Sequence, residues 1–448
     1  MANDLMEKIV SLCKRRGFVF PGSEIYGGLA NSWDFGPLGV EMKNNIKQRW
    51  WKKFVQERPD MLGLDAALIM NPKVWEASGH LNEFTDPLVE CKRCHARFRT
   101  DQLETDSKGK YICLECEGKE FTLPRNFNLM FKTFMGPAEE AANAVYLRPE
   151  TAQGIFADFK NILDSSRKKI PFGIGQIGKA FRNEITPGNF IFRMREFEQM
   201  EIEYFIPEPK NDNEWLEYFQ MWRHEIIGWI KDCGIDFDKE IFELDVPDGE
   251  RAHYSKKTID FQYKFPFGEK ELYGLAYRGN YDLSRHQKHS GQDLFAVDED
   301  GNKFIPHVIE PSLGVERTVL AALCSAYREE MAPDVEGGED KRIVLKFPAW
   351  LAPIKVAILP LSKKEELSNL SRRVYDDLKK HFVCEYDETQ SIGKRYRRQD
   401  EIGTPFCVTV DFESLNDMAA TVRERDSMKQ ERIKMEDIRD YLEEKLEN

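Results

Sequence analysis

The 448-residue sequence has no run of about 18 apolar residues, the length that a membrane-spanning helix requires. Its first residues, MANDLMEKIVSLCKRRGF, lack a long apolar segment followed by a small-residue cleavage site. We therefore expect a cytoplasmic protein without a secretory signal and without a membrane partner. Internal repeats and low-complexity tracts are also absent from the sequence.

An excess of positive charge is lacking too. The chain carries 65 Lys and Arg against 78 Asp and Glu, a net charge of -13, and its isoelectric point is about 5.4. This balance argues against a protein that coats nucleic acid through bulk charge, although local basic patches could still hold a nucleic-acid substrate. A composition with 41% hydrophobic and 32% charged residues is ordinary for a globular protein, and the length suffices for about three domains.

The nine cysteines are an odd number and follow no secretory signal, so a disulfide framework is not expected. Five are scattered and indicate small buried apolar residues, whereas four form CKRC, eighteen residues, then CLEC. Two such pairs present four thiolates to zinc, with RFRTDQLETDSKGKYI as a polar hairpin between them. A redox pair and a ribbon that folds without metal stay open as alternatives. The predicted zinc ligands are Cys91, Cys94, Cys113 and Cys116.

A G-x-G-x-x-G pattern at Gly173, Gly175 and Gly178 raises the possibility of a dinucleotide site. That pattern binds a pyrophosphate only where a helix begins at its third glycine. Here a Thr-Pro-Gly-Asn turn at residues 186–189 lies between two strand-like runs, so we do not expect a dinucleotide site.

Hydrophobic periodicity predicts the main elements. After Gly36-Pro37, a helix carries Ile46, Trp50 and Phe54 at four-residue spacing, which indicates core packing or, alternatively, a subunit interface. Further elements are helices within residues 147–170 and at 212–232, strands across 258–282, and a helix entered through a glycine turn in PSLGVERTVLAALCSAYREE.

The acidic, glycine-containing segment 331–342 is a linker candidate. Beyond it the pattern becomes βαβαβ, which is typical of a parallel α/β unit. The sequence thus predicts an α+β chain, with an antiparallel body followed by a smaller α/β domain.

Residues 177–205, IGKAFRNEITPGNFIFRMREFEQMEIEYF, are predicted to form two strands around the turn. Alternation places Arg182 and Glu184 on one face of the first strand, and a second set shares a face of the other strand. Guanidinium groups bind phosphate bidentately, an aromatic face stacks a purine, and carboxylates hold Mg²⁺ or an ammonium group. Taken alone, the pattern would be interpreted first as a solvated sheet surface with ion-paired charges. The second set is Arg193, Arg195, Phe197, Gln199 and Glu201.

FRNE, the turn, and Arg193-x-x-x-Phe197 resemble motif 2 of the class II aminoacyl-tRNA synthetases, and EPSLGVERTVLAAL at 310–323 resembles motif 3. The helix from about residue 38, with a strand ending near Pro72, resembles motif 1, the dimer-forming element. YGGLANSWDFGPLG, WEASGH, RPETAQGIF, YGLAYRGNYDLSRH and EPSLGVER resemble the single-chain, homodimeric glycyl branch of this class.

The resemblance implies a class II catalytic domain at 1–340, with motif 1 at about 36–72, motif 2 at about 177–205 and motif 3 at about 310–323. It places a zinc-ribbon-like insertion at 88–120 and an α/β anticodon-binding domain of class IIa at 350–448. The implied reaction activates glycine with ATP and Mg²⁺ to glycyl-adenylate and transfers it to the 3′ end of tRNA(Gly).

By the same resemblance, Arg182 bridges the α-phosphate and the glycine carboxylate, and Phe197 stacks on adenine. Arg193 and Arg317 hold the distal phosphates or the far adenine face, and Glu271 assists Mg²⁺. Arg182 and Arg317 are the implied catalytic residues. The implied ATP-binding residues are Arg182, Asn183, Glu184, Phe192, Arg193, Met194, Arg195, Glu196, Phe197, Glu271, Leu272, Gly314, Val315, Glu316 and Arg317.

Glycine has no side chain, so a site must grip its ammonium and carboxylate and reject larger amino acids by overlap. The resemblance places three glutamates around the ammonium, although Glu201 in particular could instead be an ordinary ion-pair partner. Arg99 lies within the insertion, which would be a lid if Arg99 reached glycine. The implied glycine-binding residues are Arg99, Glu150, Phe197, Glu198, Gln199, Met200, Glu201, Glu310, Pro311, Ser312, Leu313 and Gly314.

The densest basic cluster, around Tyr396, suits phosphate contact and stacking on unpaired bases of tRNA, with a solvated helix face as the alternative. The cluster consists of Lys394, Arg395, Arg397 and Arg398. Two rival functions are a synthetase for another amino acid, such as proline, threonine or serine, and a non-catalytic paralogue. The presence of the motif 2 and motif 3 arginines favours a catalyst.

Overall fold

The computed structural model describes residues 2–137, 139–140, 143–185, 188–333 and 338–447. The α-helices are α1 (Ala2–Arg16), α2 (Pro37–Trp51), α3 (Lys73–Ser78), α4 (His80–Glu83), α5 (Ala152–Ser166), α6 (Asp212–Asp232), α7 (Phe237–Glu240), α8 (Tyr281–Ser290), α9 (Val315–Ala326), α10 (Glu365–Leu378), α11 (Ile392–Ile402), α12 (Ser414–Asp417) and α13 (Ile438–Glu447). None of these helices combines the length and the apolar character that crossing a membrane requires.

The strands are β1 (Val19–Pro21), β2 (Trp33–Phe35), β3 (Met61–Gly63), β4 (Thr85–Glu90), β5 (Arg97–Arg99), β6 (Arg125–Asn128), β7 (Lys132–Phe134), β8 (Ala144–Tyr146), β9 (Phe172–Phe181), β10 (Glu196–Ile206), β11 (Ile241–Asp245), β12 (Lys257–Phe265), β13 (Gly268–Gly279), β14 (Ala296–Val297), β15 (Lys303–Phe304), β16 (His307–Gly314), β17 (Tyr327–Pro333), β18 (Glu339–Leu345), β19 (Val356–Pro360), β20 (Cys384–Tyr386), β21 (Phe406–Val410), β22 (Ala419–Glu424) and β23 (Gln430–Lys434).

A seven-stranded sheet forms the body of the protein, in the order β11-β12-β13-β16-β10-β9-β3. Its pairs are antiparallel except for β3 with β9. On β10 the register places Glu201 opposite both Gln176 of β9 and Ser312 of β16. Because paired residues share a face, these three side chains project from the same side of the sheet.

The two faces of this sheet meet different helices. Met200 and Ile202 of β10 belong to the largest apolar cluster, which includes buried residues of α2, α6 and α9. Ile174 and Phe205 project from the opposite face and pack with buried residues of α5 and α8. We call the α5 side the front of the sheet and the α2 side the back.

The aromatic stripe of α2 is core, as its spacing predicted. Ile46 and Trp50 are fully buried and Phe54, in the π-helical turn that continues α2, is 2% exposed. The strand that follows is shorter than predicted, because β3 ends at Gly63 and not near Pro72.

The glycine pattern in β9 serves packing. All three glycines lie inside the strand, so no helix begins there and the dinucleotide alternative is excluded by the fold. A Cβ atom on Gly178 would lie 2.2 Å from Nη2 of Arg148, and one on Gly173 would lie 2.4 Å from Sδ of Met61. Glycine thus lets neighbouring side chains cross directly over the strand.

The C-terminal part forms a five-stranded sheet in the order β20-β19-β21-β22-β23. The first three strands are parallel, as predicted, whereas the antiparallel β22 and β23 were not expected. The linker prediction for 331–342 is wrong for its described parts, because β17 and β18 pair there as the end of a hairpin. Residues 334–337 lie outside the described residues.

Candidate active site

A cleft opens on the front of the sheet, between β10, β13, β16 and the segment joining β9 to β10. Most of the predicted ATP-binding set lines it, including both predicted catalytic arginines. The lining residues are Arg182, Glu184, Ile191, Phe192, Arg193, Met194, Phe197, Gln199, Glu271, Leu272, Ser312, Leu313, Gly314, Glu316 and Arg317.

Guanidinium groups and aromatic rings alternate in this cleft. Cζ of Arg182 lies 5.4 Å from the ring centroid of Phe197, and its Nε donates to the carbonyl oxygen of Pro149 at 3.1 Å. Cζ of Arg317 lies 4.6 Å from the ring of Phe192. Two cations held against apolar ring faces suit a ligand that combines phosphate with a planar base.

Glu271 stands beside this arginine pair. Nη1 of Arg317 donates to the Glu271 carbonyl oxygen at 3.0 Å and lies 3.2 Å from its carboxylate. The side chain of Glu271 is 47% exposed, and the charges of Arg317, Arg182 and Arg193 lower its pKa. On the neighbouring strand, burial and repulsion from Glu271 raise the pKa of Asp260 to about 7. Asp260 was not among the predicted site residues.

Deeper on the front face, the predicted ammonium-binding glutamates come together as buried side chains. Glu150 and Glu310 are each 6% exposed and Glu201 is 2% exposed. Oε2 of Glu201 accepts from the backbone N–H groups of Thr151 and Ala152 at 2.9 and 3.1 Å, at the start of α5. The positive end of that helix dipole therefore stabilises the carboxylate.

The other oxygen of Glu201 links this group to the cleft. Oε1 accepts from Nε2 of Gln199 at 2.9 Å and from Oγ of Ser312 at 2.7 Å, and both donors line the cleft. Among the described residues no Lys or Arg pairs with Glu201, so the ion-pair alternative does not account for it.

Glu310 and Glu150 do have ion-pair partners, which the sequence reasoning missed. Nη1 of Arg278 lies 2.5 Å from Glu310, and the same guanidinium grips Asp282 through two bonds of 2.8 and 2.9 Å. Nε2 of His80 lies 3.4 Å from Glu150. Both partners fall within the segments YGLAYRGNYDLSRH and WEASGH, which is the only sequence signal that pointed to them.

Negative charge outweighs positive charge in this buried group. Burial, together with the carboxylates of Glu201 and Glu150, raises the pKa of Glu310 to about 8 although Arg278 opposes the shift. Glu203, the next residue on the same face of β10, is fully buried, and burial and the charge of Glu310 raise its pKa well above the ordinary value. An added ammonium group would relieve this repulsion.

Three of the predicted glycine-binding residues do not direct their side chains toward the front of the sheet. Strand alternation directs Glu198, Met200 and Leu313 to the back of the sheet. Met200 and Leu313 are at most 1% exposed within the core there, and Glu198 pairs with Lys43 and Lys47 of α2. By the same alternation Pro311 lies on the back of β16. Val315 is fully buried in α9.

The prediction that Arg195 shares the face of Phe197 is also wrong. β9 ends at Phe181 and β10 begins at Glu196, so alternation does not extend through residues 182–195. Arg195 donates to the carbonyl oxygen of Ala30 at 2.8 Å and, with Asn183 and Glu196, lines a second cavity beside residues 29–35. This cavity shares Met194, Phe197 and Glu316 with the cleft. Within the predicted turn, Thr186 and Pro187 lie outside the described residues.

Arg99 does not reach the carboxylate group in this structure. It lies on β5 of the insertion and pairs with Asp86 at 2.8 Å and with Asp101 at 2.9 Å. The prediction that it contacts glycine is therefore not met by the present geometry.

The four clustered cysteines meet as the spacing predicted. Their sulfur atoms all lie within 4.8 Å of one another, with 3.7 Å between Cys91 and Cys116 and 3.5 Å between Cys94 and Cys113. A tetrahedral zinc site with bonds of about 2.3 Å separates its sulfur atoms by roughly 3.8 Å. The backbone N–H of Cys94 lowers the pKa of Cys91 to about 6, which favours a thiolate ligand. This donor set fits zinc.

The basic cluster on α11 is not a uniform surface. Arg395 is 2% exposed, and its guanidinium donates to the carbonyl oxygens of Pro360, Asp387 and Leu361. The hydroxyl of Tyr396 is 2.6 Å from Oγ1 of Thr409, inside the domain. Arg395 and Tyr396, which were predicted to contact tRNA, thus use their side chains in packing within the domain.

Lys394, in contrast, is exposed, and Arg397 and Arg398 are partly exposed. Nε of Arg398 donates to Asp387 at 3.0 Å. These three side chains are the part of the cluster that a ligand in solution can reach.

Comparison with known proteins yields two family matches. Residues 131–326 match the family described as "tRNA synthetase class II core domain (G, H, P, S and T)", and residues 355–445 match "Anticodon binding domain".

The similar curated proteins are glycine–tRNA ligases. The one from Acetivibrio thermocellus is 55% identical over 467 aligned positions, covering 99% of this chain and 98% of the relative. The one from Clostridium acetobutylicum is 56% identical, with 98% of both chains covered. Among solved structures, a prolyl-tRNA synthetase from Cryptosporidium parvum matches with a TM-score of 0.63 at 14% identity, covering 98% of this chain and 77% of that one, which is a likeness of fold.

Proposed function

Because the chain belongs to the glycine–tRNA ligase family of class II synthetases, we propose that its front-face cleft binds ATP and that the adjoining carboxylate group binds glycine. The family membership makes the chain an ATP-dependent ligase that forms an aminoacyl-tRNA, and it confirms the predicted α+β class with its C-terminal anticodon-binding domain. The rival functions of another substrate amino acid and of a non-catalytic paralogue are not supported.

One observation carries the assignment of the two subsites. Gln199 and Ser312 line the arginine cleft and also donate to the same oxygen of Glu201. A ligand in the cleft and an ammonium group at Glu201 would therefore be neighbours, separated by the side chains of Gln199 and Ser312. An amino acid whose carboxylate must reach an α-phosphate needs this adjacency.

The proposed reaction builds up negative charge at the α-phosphate, which the arginines of the cleft can neutralise. The glycine carboxylate oxygen attacks the α-phosphorus, a new C–O–P linkage forms, and the bond to the leaving pyrophosphate breaks. Arg182, held against Phe197, is placed to neutralise charge on the reacting carboxylate and α-phosphate. Arg193 and Arg317 would hold the distal phosphates. A Mg²⁺ ion, which the family implies, would be held by Glu271 and would neutralise phosphate charge.

We propose that larger amino acids are excluded by side chains whose positions are fixed, so that only glycine fits. Arg278 is fully buried between the rings of Tyr254 and Phe156, at 3.7 and 5.2 Å from their centroids, and it is fixed by Asp282. Glu310 is bonded to this rigid group. A larger amino acid would have to displace a buried ion pair, which is far more costly than forgoing a favourable interaction.

The remaining parts of the proposal concern partners. We propose zinc at the four clustered cysteines and tRNA phosphates at Lys394, Arg397 and Arg398. Ile25, Tyr26 and Leu29, which are 88%, 87% and 67% exposed and precede α2, support a homodimer contact in this region. We also propose a cytoplasmic location, because the relatives are enzymes of translation.

The test of the central proposal is ATP–pyrophosphate exchange with each of the twenty amino acids. We expect exchange with glycine alone, and its abolition by Arg182→Ala, since removing one such charge interaction costs about 3–4 kcal/mol in the transition state. Lys168→Ala is a matched control, because Lys168 is partly exposed and its Nζ contacts only the carbonyl oxygen of Pro59 among the described hydrogen bonds. Normal exchange by a folded Arg182→Ala variant would remove Arg182 from the mechanism.

A further inference from the structure

On the back of the sheet, one lysine joins helix α2 to two of the elements that build the proposed ATP site. Lys43 of α2 is 9% exposed, and its Nζ lies 2.6 Å from Oε1 of Glu316 and 2.7 Å from Oε2 of Glu198. The second oxygen of Glu316 accepts from the backbone N–H of Glu198 at 2.9 Å. Helix α2, strand β10 and helix α9 thus meet at a single ammonium group.

The two carboxylates flank residues of the cleft. Glu198 directly follows Phe197, and Glu316 directly precedes Arg317. Phe197 and Arg317 both line the front cleft, from strand β10 and from the first turn of α9 respectively. A displacement of either carboxylate on the back would therefore move a ligand-facing side chain on the front.

Without a shared cation this arrangement is unfavourable, because two nearly buried carboxylates would repel each other. The side chains of Glu198 and Glu316 are 14% and 5% exposed, and the Lys43 ammonium also lies 4.2 Å from the ring of Phe35. Burial lowers the pKa of Lys43, but the attraction of Glu316 and Glu198 outweighs burial and raises it above the ordinary value. The lysine is therefore charged.

We propose that Lys43 is a positioning residue for the reaction: by holding the carboxylates of Glu198 and Glu316 together, it fixes Phe197 and Arg317 for ATP. The inference rests on the proposed ATP site and adds to it a residue from α2, which touches no part of the cleft. It also gives a common role to Glu198, whose carboxylate lies on the back of the sheet, and to Glu316, which lines the cleft.

Several other charged groups lie near Lys43, Glu198 and Glu316. Lys47, one turn along α2, lies 3.0 Å from Oε1 of Glu198. Asp34 of β2, Lys179 of β9, Arg195 and Glu196 line the cavity that Lys43 and Glu316 also border. Lys179 and Glu196 pair with each other across the strands. Among these groups Lys43 alone is bonded to both carboxylates.

The experiment measures the KM values for ATP and glycine in pyrophosphate exchange by the full chain. For Lys43→Met we expect an ATP KM raised by about tenfold or more, with the glycine KM changed by less than about threefold. The deficit should be smaller at pH 6 than at pH 8, since protonation of one carboxylate replaces the missing cation. Lys47→Met is the matched control, because it leaves the bond between Lys43 and Glu316 in place, and it should change the ATP KM by less than about threefold.

A second variant tests the repulsion itself. Lys43→Met/Glu316→Gln keeps an oxygen for the Glu198 N–H and removes one charge, so it should restore most of the ATP affinity and should fold even if Lys43→Met does not. An unchanged ATP KM in Lys43→Met, equal losses for ATP and glycine, or no rescue by the double variant would each overturn the proposal. Arg182→Ala in the same assay separates this outcome from a failure of the ATP site, because only the latter leaves Arg182→Ala active.

Discussion

Glu201→Gln gives the sharpest test of the carboxylate group, because this residue has a structural and a substrate-binding role that can be separated. Its Oε2 accepts from two backbone N–H groups at the start of α5, and its Oε1 accepts from Gln199 and Ser312. In the variant, the amide oxygen would stay at the helix start, since an amide NH₂ there would face the two backbone N–H groups and the donating hydroxyl of Thr151. The NH₂ group would then face Gln199 and Ser312.

The magnitude follows from the hydrogen bonds. Hydrogen bonds to a charged group contribute about 1.5–3 kcal/mol each, and neutral ones about 0.5–1.5 kcal/mol. The two backbone bonds persist in neutral form, and at least one bond on the other oxygen is broken or must reorient. We therefore expect the free energy of unfolding to fall by about 2–4 kcal/mol. Loss of the charge facing the ammonium should lower kcat/KM for glycine by roughly one hundredfold, or about 2.7 kcal/mol.

The assay is pyrophosphate exchange at varied glycine and ATP, combined with urea denaturation. The ATP KM should change by less than about threefold, because the charged carboxylate of Glu201 does not contact Phe197 or the cleft arginines. Glu203→Gln is the matched control. Glu203 is two residues along the same face and fully buried, but burial and the charge of Glu310 raise its pKa well above the ordinary value, so we expect an isosteric amide to remove less charge there than at Glu201.

Two results would refute this reasoning. If Glu201→Gln bound glycine normally, the ammonium site would lie elsewhere. If Glu203→Gln were as impaired as Glu201→Gln, the difference in charge assigned to these neighbours would be wrong. The sign of the pH dependence adds a check: a raised folded-state pKa makes Glu203 destabilising as pH rises above 4.5, so Glu203→Gln should gain stability over the parent chain from that pH upward.

Two further predictions concern the assembly. Elemental analysis of protein purified without chelator should find one zinc per chain, and Cys94→Ser should reduce that value; metal-free, folded protein would favour a ribbon that needs no ion. Sedimentation velocity should show two chains per particle, and Ile25→Ser/Leu29→Ser should shift the particle toward one chain; a monomeric parent would contradict the homodimer.

The sequence predicted the elements with strong periodicity and the residues with local context. The stripe on α2, helix α6 and the entry to α9 all follow from spacing within one segment. Motif matching failed where it carried over consecutive residues of a strand, since Glu198 and Met200 alternate with Phe197, Gln199 and Glu201.

Long-range pairing was beyond any local pattern. Arg278 and Glu310 are 32 positions apart, and Lys43 and Glu316 are 273 apart. Their roles depend on which strands become neighbours in the sheet. Burial of Arg395 was missed for the same reason, because its carbonyl partners lie 8 to 35 positions away.

The two faces of helix α11 should respond differently to substitution. Changes on the outer face should affect tRNA binding alone, whereas changes on the inner face should affect both tRNA binding and the activation of glycine. Its inner face is tied to the rest of the chain: Asp400 is fully buried and accepts from Arg342 of β18 at 2.8 Å and from Arg423 of β22 at 2.9 Å. Glu401 pairs with Arg16 at the end of α1 at 2.6 Å. The outer face carries Lys394, which is exposed.

Lys394→Ala/Arg397→Ala should therefore weaken tRNA charging through the apparent affinity for tRNA, and should lower the slope of log affinity against log salt by about one for each phosphate that is no longer neutralised. Exchange with glycine and ATP should be unchanged. Asp400→Asn instead leaves the buried guanidinium of Arg423 without its counter-charge and leaves Arg342 with Glu330 alone. Breaking such a buried pair costs about 3–5 kcal/mol, so the variant should be less stable and impaired in both activities. Equal losses of exchange in both variants would show that the outer face of α11 also acts on the catalytic sheet, whereas normal tRNA charging by the double variant would assign Lys394 and Arg397 to an ordinary solvated surface.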